Sequence, residues 1–503
     1  MTNAKSWRIG SIDNRALYRA SVFTVALTYV ALSTGSAMTR LPVCDEAWYA
    51  NPAFNLTAGR SMGTTVLESA GTTLQGLERH TYWIMPLHIV GQALVYEVFG
   101  PGLMQTRLLS AFWGLVILGS WFVILRAVYP ERLVALLAIF LMAIDSYFIA
   151  FSSTGRSDAM CAGLGSAALT AYLTLRARRL ALALFVSNAL IAGSGLTHPN
   201  GILYLALFVL LFWRLDRENV GWFDLCAAAS PYVVGAMLWG TYVLQSPADF
   251  LAQFGGSASR RLPEVAAPLA MIKGEVLRYA NAYGLTSGAS ALGHVKAVIL
   301  LAYLVGIAGT IATPALRRQR PVRLLLSMTA VIVALMVVVE GAKQDWYLVH
   351  VIPLFCAVSS VWIAYVCRQA SKLAYFVGIG VAILVVINVG AVGWLFHRAD
   401  YQNIYLPVVE FLNSPPHVRE RVMGSAELGF QIGFERLTDD YRLGYYSGKR
   451  AAVIVVEENY EGRFRRYQTQ EPAVFRHVMK TLSEARKVFD NGRYRVYELS
   501  AGR

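Results

Sequence analysis

Two adjacent acids, Asp45 and Glu46, stand in the run Cys44-Asp45-Glu46-Ala47-Trp48-Tyr49, directly after an apolar stretch long enough to cross a membrane. Ionisable groups beside a bilayer are costly and tend to be functional. Trp48 and Tyr49 prefer the lipid–water interface and so hold the pair at that depth. A carboxylate placed there can take the proton from an attacking hydroxyl. Asp45 and Glu46 are therefore read as catalytic acids, against the blander reading of a solvated loop or helix cap.

A third acid, Asp158, lies in Ser152-Ser153-Thr154-Gly155-Arg156-Ser157-Asp158, at the junction of two later apolar stretches. It is read as catalytic too; a contact with Arg156 or a cap on helix amides would be its structural alternative. Lys343, in Glu340-Gly341-Ala342-Lys343-Gln344-Asp345-Trp346-Tyr347, can pair a lipid-linked phosphate as a point charge. Snorkelling to the headgroups is the competing account. Arg156, His198, Arg260, Arg261, Lys343 and Tyr347 make up the substrate-binding candidates, with Lys273 as a further cation near the arginine pair.

These residues must be positioned by a membrane scaffold. The 503 residues are 56% hydrophobic and only 15% charged, with a mean hydropathy of +0.47, whereas soluble domains carry about 25% charge. The formal charge of +14 would point to nucleic acid in a soluble chain. Here the excess sits in short loops between apolar runs, where it sets orientation, and nucleic acid is excluded as a partner. The five cysteines have neither metal-type nor redox-type spacing. The eight histidines form no ligand pair, and neither a Walker loop nor a dinucleotide fingerprint is present. No cofactor is implied.

With about 20 apolar residues needed per spanning helix, eleven spans are predicted: 16–37, 104–125, 133–151, 159–175, 181–197, 201–213, 225–244, 295–313, 323–339, 347–366 and 374–396. Placing the N-terminus in the cytoplasm puts Arg126 and Arg132, then Arg176, Arg178 and Arg179, then Arg214 and Arg217, then Arg317, Arg318, Arg320 and Arg323, then Arg368 and Lys372 on the inside. Stretches 38–103 and 245–294 are then exoplasmic, and the apolar part Tyr82–Gly100 is expected to lie in the interface. Residues 1–396 form the membrane domain. Residues 397–503 are charge-rich, with strand-like runs at Ala452–Val456 and Tyr494–Leu499 and helix-like patterns at Pro407–Asn413 and Pro472–Ala485. They predict a small soluble α/β domain outside the membrane, large enough for its own core.

The order of motifs resembles a family. After the acidic pair come Tyr82-Trp83-Ile84-Met85-Pro86-Leu87-His88 and Phe99-Gly100. Arg107-Leu108-Leu109-Ser110-Ala111 opens the second span, followed by Arg156-Ser157-Asp158 and later Lys343-Gln344-Asp345-Trp346-Tyr347 with Pro353. The chain resembles the GT-C membrane glycosyltransferases of the protein O-mannosyltransferase and aminoarabinose transferase type, best over residues 16–200 and again at 340–355. The resemblance implies inverting transfer of a sugar from a polyisoprenyl-phosphate donor to a glycan, lipid or protein acceptor on the outer face of a bacterial inner membrane. It maps the family's two acids onto Asp45 and Asp158 and its phosphate-contacting base onto Lys343. Aminoarabinose transferases carry a metal-binding Glu-Lys-Pro run in the first loop; Ile84-Met85-Pro86 stands here, so neither that metal site nor a lipid A acceptor is supported. His198 replaces a lysine usual at the end of the fifth span.

Two other classes share parts of this pattern. A secondary transporter would show charge and broken helices inside its spans, which are nearly free of charge here. A glycan polymerase or ligase would use the same leaving group on a larger acceptor.

Overall fold

The computed structural model describes residues 15–261, 267–286, 291–369 and 371–499, and at 260, 261, 291 and 292 the backbone alone. From the N-terminus come α1 (Arg15–Thr39), two loop helices α2 (Cys44–Thr57) and α3 (Pro86–Phe99), then α4 (Leu103–Val128), α5 (Arg132–Ile144), α6 (Ser146–Ser152), α7 (Ser157–Leu175), α8 (Leu180–Thr197), α9 (Gly201–Leu215) and α10 (Trp222–Val243). A second loop region holds α11 (Pro247–Arg261) and α12 (Pro268–Ala282). The short α13 (Ala291–Val295) leads into α14 (Ala297–Ala312), α15 (Pro314–Arg317), α16 (Arg320–Val339), α17 (Ile352–Arg368) and α18 (Lys372–Arg398).

Each apolar stretch of the sequence is mainly helical, but helices are not all spans. Among the described residues six helices are long and apolar enough to cross a membrane, or up to eight if each of two bent pairs is one span; α9 and α17 are apolar but shorter. Eleven spans is more than length and composition alone support. The stretch 133–151 is broken between α5 and α6 by a 67° bend. Asp145 sits at the break and caps α6, its Oδ1 accepting from the Phe148 amide at 2.7 Å, as an N-cap carboxylate does. Its Oδ2 accepts from the Tyr303 hydroxyl at 2.5 Å, so this acid inside the bundle is fully partnered. Between α8 and α9, Pro199 keeps His198 out of helical geometry, and His198 is extended (φ −157°, ψ 145°).

Aliphatic side chains such as Ile139, Met142, Leu169, Leu203, Ile332 and Leu354 fill the bundle interior with no exposed surface. Val233, Met237 and Leu238 on α10, and Ile383 and Val386 on α18, point outward. An apolar surface of that kind suits lipid contact.

The C-terminal part holds α19 (Leu406–Asn413), β1 (Val422–Met423), α20 (Gly429–Ile432), β2 (Leu437–Thr438), β3 (Val453–Val456), α21 (Glu458–Gln470), α22 (Pro472–Ser483), β4 (Ala485–Asp490) and β5 (Arg495–Leu499). The sheet order is β2-β1-β3-β5-β4. β1 runs parallel to β2 and β3, with Val422 opposite both Leu437 and Val453. β5 runs antiparallel to β3, with Ile454 opposite Tyr497. β3 is buried on both faces, as a covered central strand should be. Met423, Ile454 and Val456 pack against Tyr460, Phe464, Val474 and Val478 of α21 and α22. On the other face Val422, Val453, Val455 and Val496 share one core with Tyr405 and Val408, and with Ala47, Ala50 and Ala53 of α2. The helix that carries the acidic pair is thus part of the C-terminal core.

Candidate active site

Asp45, Arg156 and Asp158 meet. Asp45 lies in the first turn of α2 and Asp158 in the first turn of α7, where helix dipoles favour a negative charge. Arg156, in the turn before α7, pairs with both: Nη1 contacts Asp45 Oδ2, and Nε donates to Asp158 Oδ2 at 2.8 Å. The three side chains are graded in exposure, at 26% for Asp45, 6% for Arg156 and 1% for Asp158. Asp158 Oδ1 is buried with no hydrogen-bond partner among the described residues. The guanidinium lies over the rings of Trp346, at 4.8 Å, and Tyr49, at 5.8 Å, within cation–π range. Arg156 itself occupies the N-cap position of α7, so Asp158 is no cap.

Glu46, read from the sequence as a second catalytic acid, has a different place. It has no exposed surface. Its Oε1 accepts from Arg107 Nε and from the Gly155 amide, each at 2.8 Å, and its Oε2 from Arg107 Nη2 at 2.8 Å and the Val43 amide at 3.0 Å. The last bond is the carboxylate half of a capping box. Arg107 also donates to the carbonyls of Ala37, Arg40 and Leu41. Burial works to raise the Glu46 carboxyl, but Arg107, Arg40 and the Gly155 amide outweigh it and hold it below the usual carboxylate range. With every acceptor position engaged, Glu46 has no room for a substrate proton. It braces α2 against α4 and the Arg156 turn, a correction to the catalytic reading.

Lys343 has a left-handed backbone (φ 51°), which turns its side chain back onto α16. There Nζ donates to the Met336 and Val337 carbonyls at 2.7 and 2.9 Å and lies 3.3 Å from Glu275 of α12. Arg278, one turn further along α12, pairs with the same carboxylate. Its Nε and Nη1 are buried and without hydrogen-bond partners among the described residues. Arg278 and Asp158 both act electrostatically on the buried His350. Arg278 is a buried cation that the sequence reading did not select; its signal was the Glu275–Arg278 spacing of three on an amphipathic loop helix.

His198 Nδ1 accepts from the Asn200 amide at 3.1 Å, and its ring lies 5.2 Å from that of the buried Tyr347. The side chains of Arg260 and Arg261 lie outside the described residues, and Lys273 is exposed. All five cysteines are free. Among the described residues no cluster of three or more His, Cys, Asp or Glu side chains is arranged to hold a metal ion.

No family model and no curated protein sequence matches the chain. Solved structures do. ArnT from Cupriavidus metallidurans, solved bound to undecaprenyl phosphate, superposes with a TM-score of 0.55 at 15% identity, over 97% of this chain and 98% of that one. The oligosaccharyltransferase of Archaeoglobus fulgidus gives 0.57 at 13% identity, over 98% of this chain and 75% of that one. The mycobacterial arabinofuranosyltransferase AftD gives 0.53 at 12%, over 96% and 40%. At these identities the likeness is one of fold, and it covers the helical bundle and the C-terminal sheet together: the chain has the GT-C fold.

Proposed function

We propose that the protein transfers a sugar from a polyisoprenyl-phosphate donor to an acceptor hydroxyl at the outer surface of a bacterial inner membrane, with inversion at the anomeric carbon. The observation that carries the reading is the Asp45–Arg156–Asp158 arrangement on a fold shared end to end with a protein solved holding undecaprenyl phosphate. Asp45, the most exposed of the three, takes the acceptor proton as the acceptor oxygen bonds to the anomeric carbon. The bond from that carbon to the phosphate oxygen breaks, and the lipid phosphate leaves with its electron pair. Two carboxylates around one guanidinium leave an excess negative charge, which stabilises the positive charge that develops on a sugar ring in such a transfer. Arg156 and Tyr347 orient the substrate.

The leaving phosphate needs the opposite sign. Arg278 and Lys343, which share the carboxylate of Glu275, are the cations that would meet it. Arg278 has two buried donors without a partner among the described residues, of a kind that suits a phosphate. Arg260 and Arg261 are further candidates for it. The C-terminal domain, on the outer side in this reading, bears on the acceptor through its shared core with α2.

The test is transfer in proteoliposomes supplied with a panel of labelled polyisoprenyl-phosphate sugars and a membrane extract as acceptor source. Label should move to an acceptor with the parent and not with Asp45→Asn. Accumulation of label inside vesicles without transfer would favour a transporter, and parental turnover by Asp45→Asn would remove the mechanism.

A further inference from the structure

The loop 441–450 and helices α21 and α22 form a basic, aromatic face on the C-terminal domain. Residues 441–480 carry eight Lys and Arg against four Glu. Three of these acids are engaged by cations from outside the segment, Glu457 and Glu458 by Arg493 and Glu461 by Arg495. Lys449 pairs with Glu68 of the first loop. Arg450, Arg463, Arg465, Arg466 and Arg476 are exposed and form no ion pair among the described residues. Like charges gathered on one surface repel one another, and an anionic partner relieves the repulsion.

The cations are set among rings. Arg442 lies over Tyr446 at 5.3 Å and Tyr467 at 5.8 Å, and Arg463 over Tyr441 at 5.1 Å. A guanidinium stacked on a ring keeps its edge donors available for a carboxylate or phosphate. One acid, Glu471, shares the face: it lies 3.9 Å from Arg442 and accepts from the Tyr446 hydroxyl at 3.2 Å. Arg463 and, one turn along α21, Arg466 have no carboxylate partner among the described residues. Tyr445 and Tyr446 are 40% and 49% exposed and stand edge to face at 4.8 Å. Their rings offer apolar surface against which the C–H face of a sugar can pack.

The loop is held in shape by its own contacts. Leu443 is buried in a left-handed conformation (φ 48°), beside Gly444 at φ 84°. The buried Asp440 secures this turn, accepting from the Arg442 amide through Oδ1 and from the Gly444 amide through Oδ2, each at 2.9 Å. His477 Nε2 of α22 donates to the Leu443 carbonyl at 3.0 Å. A leucine at positive φ is costly, persists only where its surroundings over-determine it, and is a pattern concentrated at functional sites. A surface already ordered loses less on binding.

We propose that this face binds an anionic glycan, with its carboxylates or phosphates on Arg442, Arg463 and Arg466 and its rings on Tyr445 and Tyr446. The exposed rings favour a glycan over an acidic peptide, for which charge alone would suffice. The proposal stands independently of the transfer reading, since binding here requires no chemistry at Asp45.

Full-length protein in phosphatidylcholine nanodiscs would be titrated with oligogalacturonate, a phosphorylated oligomannoside, maltohexaose and polyglutamate. The parent should bind one or both anionic glycans at least about tenfold more tightly than maltohexaose or polyglutamate, with affinity falling as salt rises. Arg463→Gln combined with Arg466→Gln should weaken that binding about 10- to 100-fold at unchanged Tm, because neither arginine is in an ion pair. Tyr445→Ser should weaken it too, and Tyr445→Phe, which keeps the ring, should not. Failure of the parent to bind either anionic glycan, or unchanged binding by the arginine variant, overturns the proposal. Equal affinity for polyglutamate or for maltohexaose overturns it as well, the first in favour of an acidic peptide and the second by removing the role of charge.

Discussion

The Trp48 indole donates a 2.9 Å hydrogen bond to Asp439 Oδ2, across 391 residues of sequence. Trp48 is one helical turn from Asp45 on α2, and Asp439 follows β2. The Tyr460 hydroxyl donates to the other oxygen of Asp439 at 3.0 Å. The Asp439 backbone bonds Val66 and Glu68 in the first loop. One residue therefore joins the helix carrying the proposed base, the first loop and the C-terminal domain.

That junction predicts a pH dependence. Burial pushes the Asp439 carboxyl up to about 7, although Trp48 and Tyr460 pull the other way. Glu427 and Glu457 nearby are raised as well, chiefly by burial. An unfolded aspartate loses its proton near pH 4, so between about pH 4 and 7 the folded chain holds the proton that the unfolded chain has lost. Stability must fall as pH rises through that window. Thermal unfolding should show a lower Tm at pH 8 than at pH 5, with a shallower difference in Asp439→Asn. An equal slope in the variant would assign the effect to other groups.

The two adjacent acids of α2 should separate cleanly. Glu46→Gln strips a fully buried guanidinium of its counter-charge, and breaking such a pair costs about 3–5 kcal/mol. Asp45→Asn touches a partly exposed side chain and should leave Tm nearly unchanged while lowering kcat by about 10²–10⁴-fold, the usual worth of a positioned base. Tm and turnover measured on both variants check this; a stable, inactive Glu46→Gln would restore that residue to the chemistry.

Gly155 is required by contact. A Cβ there would fall 2.2 Å from Thr106 Cγ2 and 3.4 Å from Glu46 Oε1. Gly155→Ala should destabilise by about 1–3 kcal/mol, as overpacking does. Thr106→Ser removes the offending methyl, so the double variant should recover most of the loss in a thermal-unfolding cycle.

Arg278 is the predicted phosphate contact. Removing a charge-assisted hydrogen bond costs about 1.5–3 kcal/mol, roughly 10- to 100-fold in affinity. Arg278→Met leaves Glu275 paired with Lys343 and should weaken undecaprenyl phosphate binding by that factor, measured by titration in nanodiscs. Unaltered affinity would move the phosphate elsewhere.

Apolar length and charge placement made the helices legible in the sequence, because burial in lipid or in a bundle demands long uninterrupted apolar segments. The runs at Ala452–Val456 and Tyr494–Leu499 are close to β3 and β5, since short β-branched runs favour strands. β4 (Ala485–Asp490) was hidden, because a polar edge strand in Ala-Arg-Lys carries little pattern of its own. The bend at Asp145 was missed because an N-cap in a continuous apolar run disturbs composition by only one residue.

The acidic residues at the mouth of the bundle were visible as types; their roles were not. Sequence adjacency made Asp45 and Glu46 look alike, yet successive positions on a helix point about 100° apart. That angle turns Asp45 toward Arg156 and Glu46 into the interior against Arg107. Sequence by itself determined a helical membrane scaffold with polar groups at its mouth. Only the packing of α2, α4 and α7 decided which carboxylate is buried and which faces the site, because burial and pairing are properties of neighbours that the chain brings together from far apart.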